Sequence, residues 1–359
     1  MTDTAELQEL ADTVRAVLTK HGDRDALRRA IDSDLGYDER LWRLLCEQVG
    51  VAALAIPEEY GGVGADLDTA LVVVEELGRT LHNPPMLGSA VLGVQAVLAA
   101  GDTAAAQRLL PEVAEGSRTL ALCWADSTGW ATPAAPRSGY GVRADGDTLT
   151  GTAHYVLDGA AADTLLVLTD AGLYEIDAAD EHVTRTTTRT MDPTRRLAAI
   201  TFDGAAATRL GSDAAALSTR LRDIAWAALA AEQVGAADQC LEMTVEYSKS
   251  RVQFGRPIGS FQALKHRMAD MYVLVESARS AAYAAIANLD RPVTSDTVLD
   301  LESARIHCSQ AFRSVVGETV QLHGGIAITW EHEAHLYFKR AHADAELFGR
   351  PARPLARPA

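Results

Sequence analysis

The stretch Arg251-Val-Gln-Phe-Gly-Arg-Pro-Ile-Gly-Ser-Phe-Gln262 decides the reading of this chain. It interrupts a long, Ala-rich helical pattern with a Gly and a Pro, and helical spacing resumes at once from Phe261 to Tyr283. A break of this kind between two good helices reads as the turn of a helical hairpin. The turn carries a fixed cation (Arg251), an aromatic ring (Phe254) and a planar amide (Gln262). A guanidinium pairs bidentately with phosphate oxygens, and an amide reaches a ribose or a ring edge. These groups suit a dinucleotide lying across a helical surface.

Two further segments work outward from it. One is Gln321-Leu-His-Gly-Gly-Ile-Ala-Ile-Thr-Trp-Glu331; the other is Ile56-Pro-Glu-Glu-Tyr-Gly-Gly-Val-Gly64, followed by a helix carrying Glu75-Glu76-Leu77. On these residues the chain resembles the acyl-CoA dehydrogenase family, with its R-x-x-F-G-x-x-x-x-x-x-Q and Q-x-H-G-G-x-G-x-T/W-E runs. The resemblance covers about residues 1–352. An Arg and a Gln beside a helical turn are ordinarily solvated surface, and a His-Gly-Gly is ordinarily a cap or tight turn. Each motif alone is weakly specific; the three occurring in order carry the resemblance.

The pattern along the chain agrees with it. Leu7, Leu10, Val14, Val17 and Leu18 recur at helical spacing, as do Trp42, Leu44, Leu45 and Val49. Leu67 to Leu81, Leu87 to Ala99 and Ala104 to Glu115 read as further helices. From about residue 118 short apolar runs take over: Thr119 to Trp124, Gly141 to Arg143, Thr148 to Val156, Thr164 to Thr169, Gly172 to Ile176 and Leu197 to Phe202. Turn pairs such as Asp145-Gly146 and Asp203-Gly204 punctuate them. Long helical patterns return at 213–250, 261–290, 296–323 and 331–347. The expected fold is therefore multi-domain α+β: an N-terminal helical domain (1–117), a middle β-barrel or sandwich (118–212) and a C-terminal four-helix bundle (213–359). The order of three domains is also what the resemblance implies.

Composition narrows the function. The chain has 359 residues, 48% of them hydrophobic, which is ample for two or three domains. A net charge of −16 argues against nucleic acid, whose phosphates need clustered Lys and Arg. No apolar run is long enough for a transmembrane helix, and the polar, acidic start at Met1-Thr-Asp-Thr shows no signal peptide. Cys46, Cys123, Cys240 and Cys308 lack metal-ligand spacing and read as core residues of a reducing, cytoplasmic compartment. His323, His332, His335 and His342 invite a metal reading, with His332 and His335 three apart on an expected helix. No Cys or carboxylate completes a ligand set, so they are assigned to packing and surface roles and no metal is expected.

The resemblance implies FAD and the α,β-desaturation of an acyl-CoA thioester, in which a carboxylate removes the α-proton. The family's usual base lies in a Tyr-Glu-Gly-Thr segment. Here that stretch is Glu346-Leu-Phe-Gly-Arg350, and Phe348 stands at the Glu position. Other family members carry the base on the first bundle helix, which falls at Ala225, beside Trp226 where an Arg is frequent. Neither side chain takes a proton. The remaining candidate bases are Glu346 and Glu232, the latter seven residues beyond Ala225 in an apolar helix.

The flavin-holding loop departs as well. The family's T-E-P-x-A-G-S-D run is replaced by Trp124-Ala-Asp-Ser-Thr-Gly-Trp-Ala-Thr-Pro133, with Asp126, Ser127 and Thr128 as remaining hydrogen-bonding groups. The W-I-T-N-G run matches Tyr155-Val-Leu-Asp-Gly159, so the flavin-contacting Thr has become Leu157. By contrast Arg251, Phe254, Gln262, Gln321, Gly324 and Gly325 survive. In the family these bind the adenosine-diphosphate part of a flavin held by a neighbouring subunit.

The chain is thus read as similar to the short, base-lacking subunit of actinobacterial heteromeric acyl-CoA dehydrogenases. It would lend FAD contacts to a second subunit that carries the catalytic Glu and the acyl-CoA, the acyl group being bulky, such as a steroid side chain. Electron-transfer flavoprotein or a similar acceptor is implied by the family. Two alternatives stay open. One is a self-sufficient homo-oligomeric enzyme using Glu232 or Glu346; the other is a non-catalytic binding or scaffold protein on the same fold. The Ala-rich bundle helices favour an oligomer in each case.

Overall fold

The computed structural model describes residues 4–131, 140–291 and 294–351. Six α-helices open the described chain: α1 (Thr4–His21), α2 (Arg24–Asp32), α3 (Glu39–Val49), α4 (Leu67–Thr80), α5 (Val94–Ala100) and α6 (Thr103–Ala114). Three of them begin at an Asp whose carboxylate accepts from a backbone N–H of the first turn: Asp23 from Ala26 at 2.8 Å, Asp38 from Leu41 at 3.0 Å, and Asp102 from Ala105 at 3.0 Å. The expected helix from Leu87 to Ala99 is instead a wide π-helical run, Met86–Gly93, passing into α5. That run is buried throughout, so apolar periodicity could not mark where the helix type changes.

Two four-stranded sheets follow, built from β1 (Leu120–Cys123), β2 (Val142–Asp145), β3 (Thr148–Leu157), β4 (Thr164–Thr169), β5 (Gly172–Asp177), β6 (Val183–Thr188), β7 (Leu197–Ala206) and β8 (Thr208–Gly211). Their orders are β1-β4-β5-β8 and β2-β3-β7-β6, antiparallel except for the parallel β1–β4 pair. Residues of both sheets, among them Leu165, Val167 and Tyr174 from one and Leu149, Ile200 and Phe202 from the other, share one buried core. That is a sandwich. β6 and β8 escaped the sequence reading. β6 is an edge strand of Thr and Arg with four exposed residues in a row, so it carries no alternation to read.

The chain then returns to helices: α7 (Ala214–Ser250), α8 (Gln262–Ala287), α9 (Ser295–His323) and α10 (Ala334–Asp344). The expected turn between α7 and α8 contains a small β-hairpin, β9 (Val252–Gln253) with β10 (Arg256–Pro257). Its two-residue loop, Phe254-Gly255, has φ of 54° and 74°, the geometry of a primed hairpin turn. His332 lies ahead of α10 rather than on a helix with His335. Among the described residues no cluster of three or more His, Cys, Asp or Glu could hold a metal.

Two compact units emerge, one over Met1–Val74 and His82–Ala225 and the other over Glu75–Leu81 and Trp226–Ala359. We propose the division at 117/118 and 212/213 as the modular order of the chain, because helices end at Ala114, strands span Leu120–Gly211, and helices resume at Ala214. In the second unit α4 and α7 meet backbone to backbone. A Cβ on Gly78 would lie 2.3 Å from the Glu232 carbonyl oxygen, and one on Gly235 would lie 1.9 Å from that of Glu75. Around this contact Arg79 pairs with Asp238 and, at 2.5 Å, with Glu242. Glu75 accepts from Arg279 at 2.5 Å and from the Tyr283 hydroxyl at 3.1 Å. The Glu-Glu-Leu-Gly-Arg run thus serves a helix crossing. All four cysteines are free; burial pushes the Cys46 and Cys308 thiols up to about 12, which suits packing rather than reactivity.

Candidate functional site

Two groups of side chains in the helical unit hold the expected positions, the first exposed and the second mostly buried. The first is the hairpin with the end of α9. Arg251 directly follows α7 and is exposed; its N–H donates to the Tyr247 carbonyl at 2.9 Å, and its own carbonyl accepts from Ile258 at 2.8 Å. Phe254 is 91% exposed in a left-handed conformation that L-residues rarely adopt. It meets Phe261 in a T-shaped pair, centroids 6.0 Å apart, while Arg256 lies 4.0 Å over that second ring. Gln262 begins α8, exposed, with its amide 2.7 Å from His266 Nε2.

Gln321 is exposed on the last turn of α9. Gly324, at φ 66°, and Gly325 follow, and an added Cβ on either would meet nothing within 4 Å. The turn is open on its outer side, where a ligand can approach the backbone closely. Tyr247 joins the two motifs, with its ring stacked on His323 at 4.3 Å and its hydroxyl donating to the His323 carbonyl at 3.3 Å. The structure therefore brings the root of the Arg251 hairpin to the Gln321–Gly325 segment. Sequence reasoning missed Tyr247, although an aromatic one helical turn before Arg251 was the available signal.

The second group holds the positions expected for a base. Phe348 is buried at φ 59°, and its carbonyl accepts from the indole of the buried Trp226 at 3.0 Å. Arg305, buried inside α9, donates to the carbonyls of Asp344, Ala345, Leu347 and Gly349 at 2.9–3.2 Å. Burial pulls its pKa down to about 10, opposed by the Asp344 carboxylate, so it remains a cation at neutral pH. One guanidinium nitrogen thus lies within hydrogen-bond reach of four carbonyls at and beyond the end of α10. Ala225 is buried and has no proton-accepting group.

The two candidate carboxylates are both engaged. Glu232 is buried and ion-paired to the fully buried Arg340. Glu346 is exposed and pairs with Arg350 one turn along. Arg340 was also missed. A carboxylate in an apolar helix calls for a cation, and Arg340 lies between buried Tyr337 and Ala341 on α10.

In the sheet-bearing unit, the loop matching the flavin-holding run is closed on itself. The Asp126 carboxylate accepts from the Thr128 N–H at 2.7 Å and hydroxyl at 2.5 Å, and the Ser127 carbonyl accepts from the Tyr155 hydroxyl at 3.1 Å. Trp130 packs on Tyr155, centroids 5.5 Å apart. Thr132 and Pro133 of the expected run lie outside the described residues. Leu157 is buried against the π-helical run, 3.4 Å from where a Cβ on Gly88 would stand. Of the two ends of a flavin dinucleotide, the residues present fit the diphosphate end: an exposed cation, an exposed ring, amides and an open Gly-Gly turn. At the isoalloxazine end Leu157 offers no donor, and the Asp126 carboxylate is turned to its own loop.

Comparison with known proteins follows the same lines. A family profile described as acyl-CoA dehydrogenase, N-terminal domain, matches residues 4–117, and one described as acyl-CoA dehydrogenase, C-terminal domain, matches residues 223–351. Acyl-CoA dehydrogenase IpdE2 of Mycolicibacterium smegmatis is 44% identical over 98% of this chain and 97% of the relative. IpdE2 of Mycobacterium tuberculosis is 43% identical over 99% and 97%. Among solved structures, a variant of the Tcur3481-Tcur3483 steroid ACAD superposes with a TM-score of 0.86 at 32% identity, over 97% of this chain and 94% of that one. The ChsE4-ChsE5 complex from Mycobacterium tuberculosis gives 0.85 at 28% identity, over 96% and 93%.

Proposed function

The chain belongs to the acyl-CoA dehydrogenase family, FAD-dependent oxidoreductases acting on CH–CH groups, and from that premise we propose that it is the companion subunit of a heteromeric enzyme. One observation carries this reading: Phe348, which the motif order assigns to the base position, is a buried phenyl ring with its carbonyl bound by Trp226. Bound FAD supplies the hydride acceptor at the substrate's β-carbon. Removal of the α-proton needs a carboxylate within reach, and that group comes from the partner subunit. Arg251 neutralises the diphosphate as a bidentate cation. Phe254 gives the dinucleotide an apolar face, Gln262 and Gln321 give it amides, and Gly324 and Gly325 admit it close to the backbone.

The substrate class we assign is a bulky acyl-CoA, such as a steroid side-chain thioester. Its support is that the Tcur3481-Tcur3483 steroid ACAD and the ChsE4-ChsE5 complex are each a pair of named chains, and that a subunit without its own base leaves room for a large group. An electron-transfer flavoprotein or similar carrier takes the electrons onward. Among the described residues no helix is long and apolar enough to cross a membrane, and we place the enzyme in the cytoplasm. The test is flavin absorbance per chain, for this protein alone and co-expressed with the product of a neighbouring acyl-CoA dehydrogenase gene. The expected result is no flavin alone and one per pair of unlike chains. One flavin per chain in the isolated protein, bleached by an acyl-CoA, would replace this reading with a self-sufficient enzyme.

A further inference from the structure

The two motifs on the lent side are separated by about 70 residues of sequence, yet they must present their groups to one dinucleotide at a fixed spacing. A column of three rings runs between them. Tyr247 stacks on His323 with centroids 4.3 Å apart and planes 26° from parallel. His323 in turn meets His332 at 4.5 Å. Arg251 is one helical turn beyond Tyr247 and bonded to its carbonyl; Gly324 directly follows His323; His332 lies in the connection to α10.

The middle ring is held from its own helix. His323 Nδ1 lies 2.7 Å from the Thr319 carbonyl, which can only accept, so the proton is on Nδ1. Nε2 is buried and has no hydrogen-bond partner among the described residues. Burial pulls the imidazole below its usual pKa, with the Thr319 bond opposing, so the ring stacks as a neutral group. The ring so held meets Tyr247 and His332 through its ring contacts.

We infer that Tyr247 is a positioning residue, which through its stack on His323 sets the spacing between Arg251 and the Gly324-Gly325 turn and so the hold on FAD; this rests on the companion-subunit reading above. Stacked pairs add to burial through ring geometry. Phe at 247 keeps the stack and loses only the hydroxyl bond to the His323 carbonyl, whereas Leu keeps apolar volume and loses the stack.

The experiment measures the FAD dissociation constant of the co-purified complex by recovery of flavin fluorescence, for Tyr247→Phe, Tyr247→Leu and Arg251→Ala. Tyr247→Leu should weaken FAD binding about tenfold, Tyr247→Phe by less than about threefold, and Arg251→Ala at least as much as Leu. Should Tyr247→Leu fail to fold, Tyr247→Met takes its place with the same expectation. Loss of flavin in Arg251→Ala with full retention in Tyr247→Leu overturns the positioning role and leaves the companion reading standing. Full retention in both overturns the two together. Equal loss in the Phe and Leu variants overturns the stack as the cause.

Discussion

The Arg251 hairpin and the Phe348 loop both belong to the helical unit, and both contain a phenylalanine with positive φ. Phe254 is 91% exposed and Phe348 is 1% exposed. Around Phe348 the backbone is held from within the unit: Trp226 bonds its carbonyl, and Arg305 reaches four more around it. Around Phe254 the exposed groups face solvent, and the positive φ is set by the two-residue turn of the β9–β10 hairpin. A phenyl ring held in solvent at a turn position that favours Gly or Asn is a surface suited to a ligand. The loop at Phe348 is closed by bonds from its own unit, which fits the proposal that the base comes from a partner subunit.

The comparison can be broken first on the buried side. Removing one partner of the Glu232–Arg340 pair, as in Arg340→Met, leaves a buried carboxylate uncompensated and should cost about 3–5 kcal/mol in a denaturant titration. Paired replacement by Met and Leu should recover most of it. A single variant of unchanged stability would show that Glu232 is not held as a structural ion and would reopen its candidacy as a base. Next comes Phe348→Glu, the substitution that restores the family's carboxylate. It buries a carboxylate at a position that is 1% exposed and should destabilise by about 3 kcal/mol without producing acyl-CoA-dependent bleaching in the isolated chain. Bleaching by that variant would mean that the site is only one residue from function.

The exposed side predicts smaller effects of opposite sign. Phe254→Gly relieves the left-handed strain and should raise stability by about 1 kcal/mol, while flavin is lost faster from the complex. A variant that is destabilised would show that Phe254 packs within its own chain. The smallest effect is on pH. Burial holds His323 below its usual 6.5, so the unfolded chain binds the proton more readily than the folded one. Stability is then full above about 6.5 and falls as the pH drops below it toward the lowered native value. Thermal melts of His323→Phe should lose this part of the acid slope; an unchanged slope would assign it to another group.

Much of this was legible in the sequence, and the failures share a cause. Helix order, the change to strands near residue 120 and the return to helix at Ala214 are periodicity, which side-chain burial writes directly into the chain. The hairpin was read as a plain turn because Val252-Gln and Arg256-Pro257 are too short to show alternation. Edge strand β6 was missed because both its faces are polar. The positions of Arg251, Gln321 and Phe348 followed from motif spacing. The contacts between helices did not: Arg340 with Glu232, Arg305 with the carbonyls beyond α10, and Tyr247 with His323 join residues far apart in the chain, and a single sequence gives no register between α7, α9 and α10. What was readable was which residue types remain. What was not was which of them the fold turns inward.

The most direct test of the central claim, that this chain lends flavin contacts and keeps no complete site, is the flavin count of the heteromeric complex carrying Arg251→Ala in this chain alone. Absorbance should fall from one flavin per pair of unlike chains toward none, with the complex still assembled by size-exclusion chromatography. An intact complex that keeps its full flavin would contradict the claim.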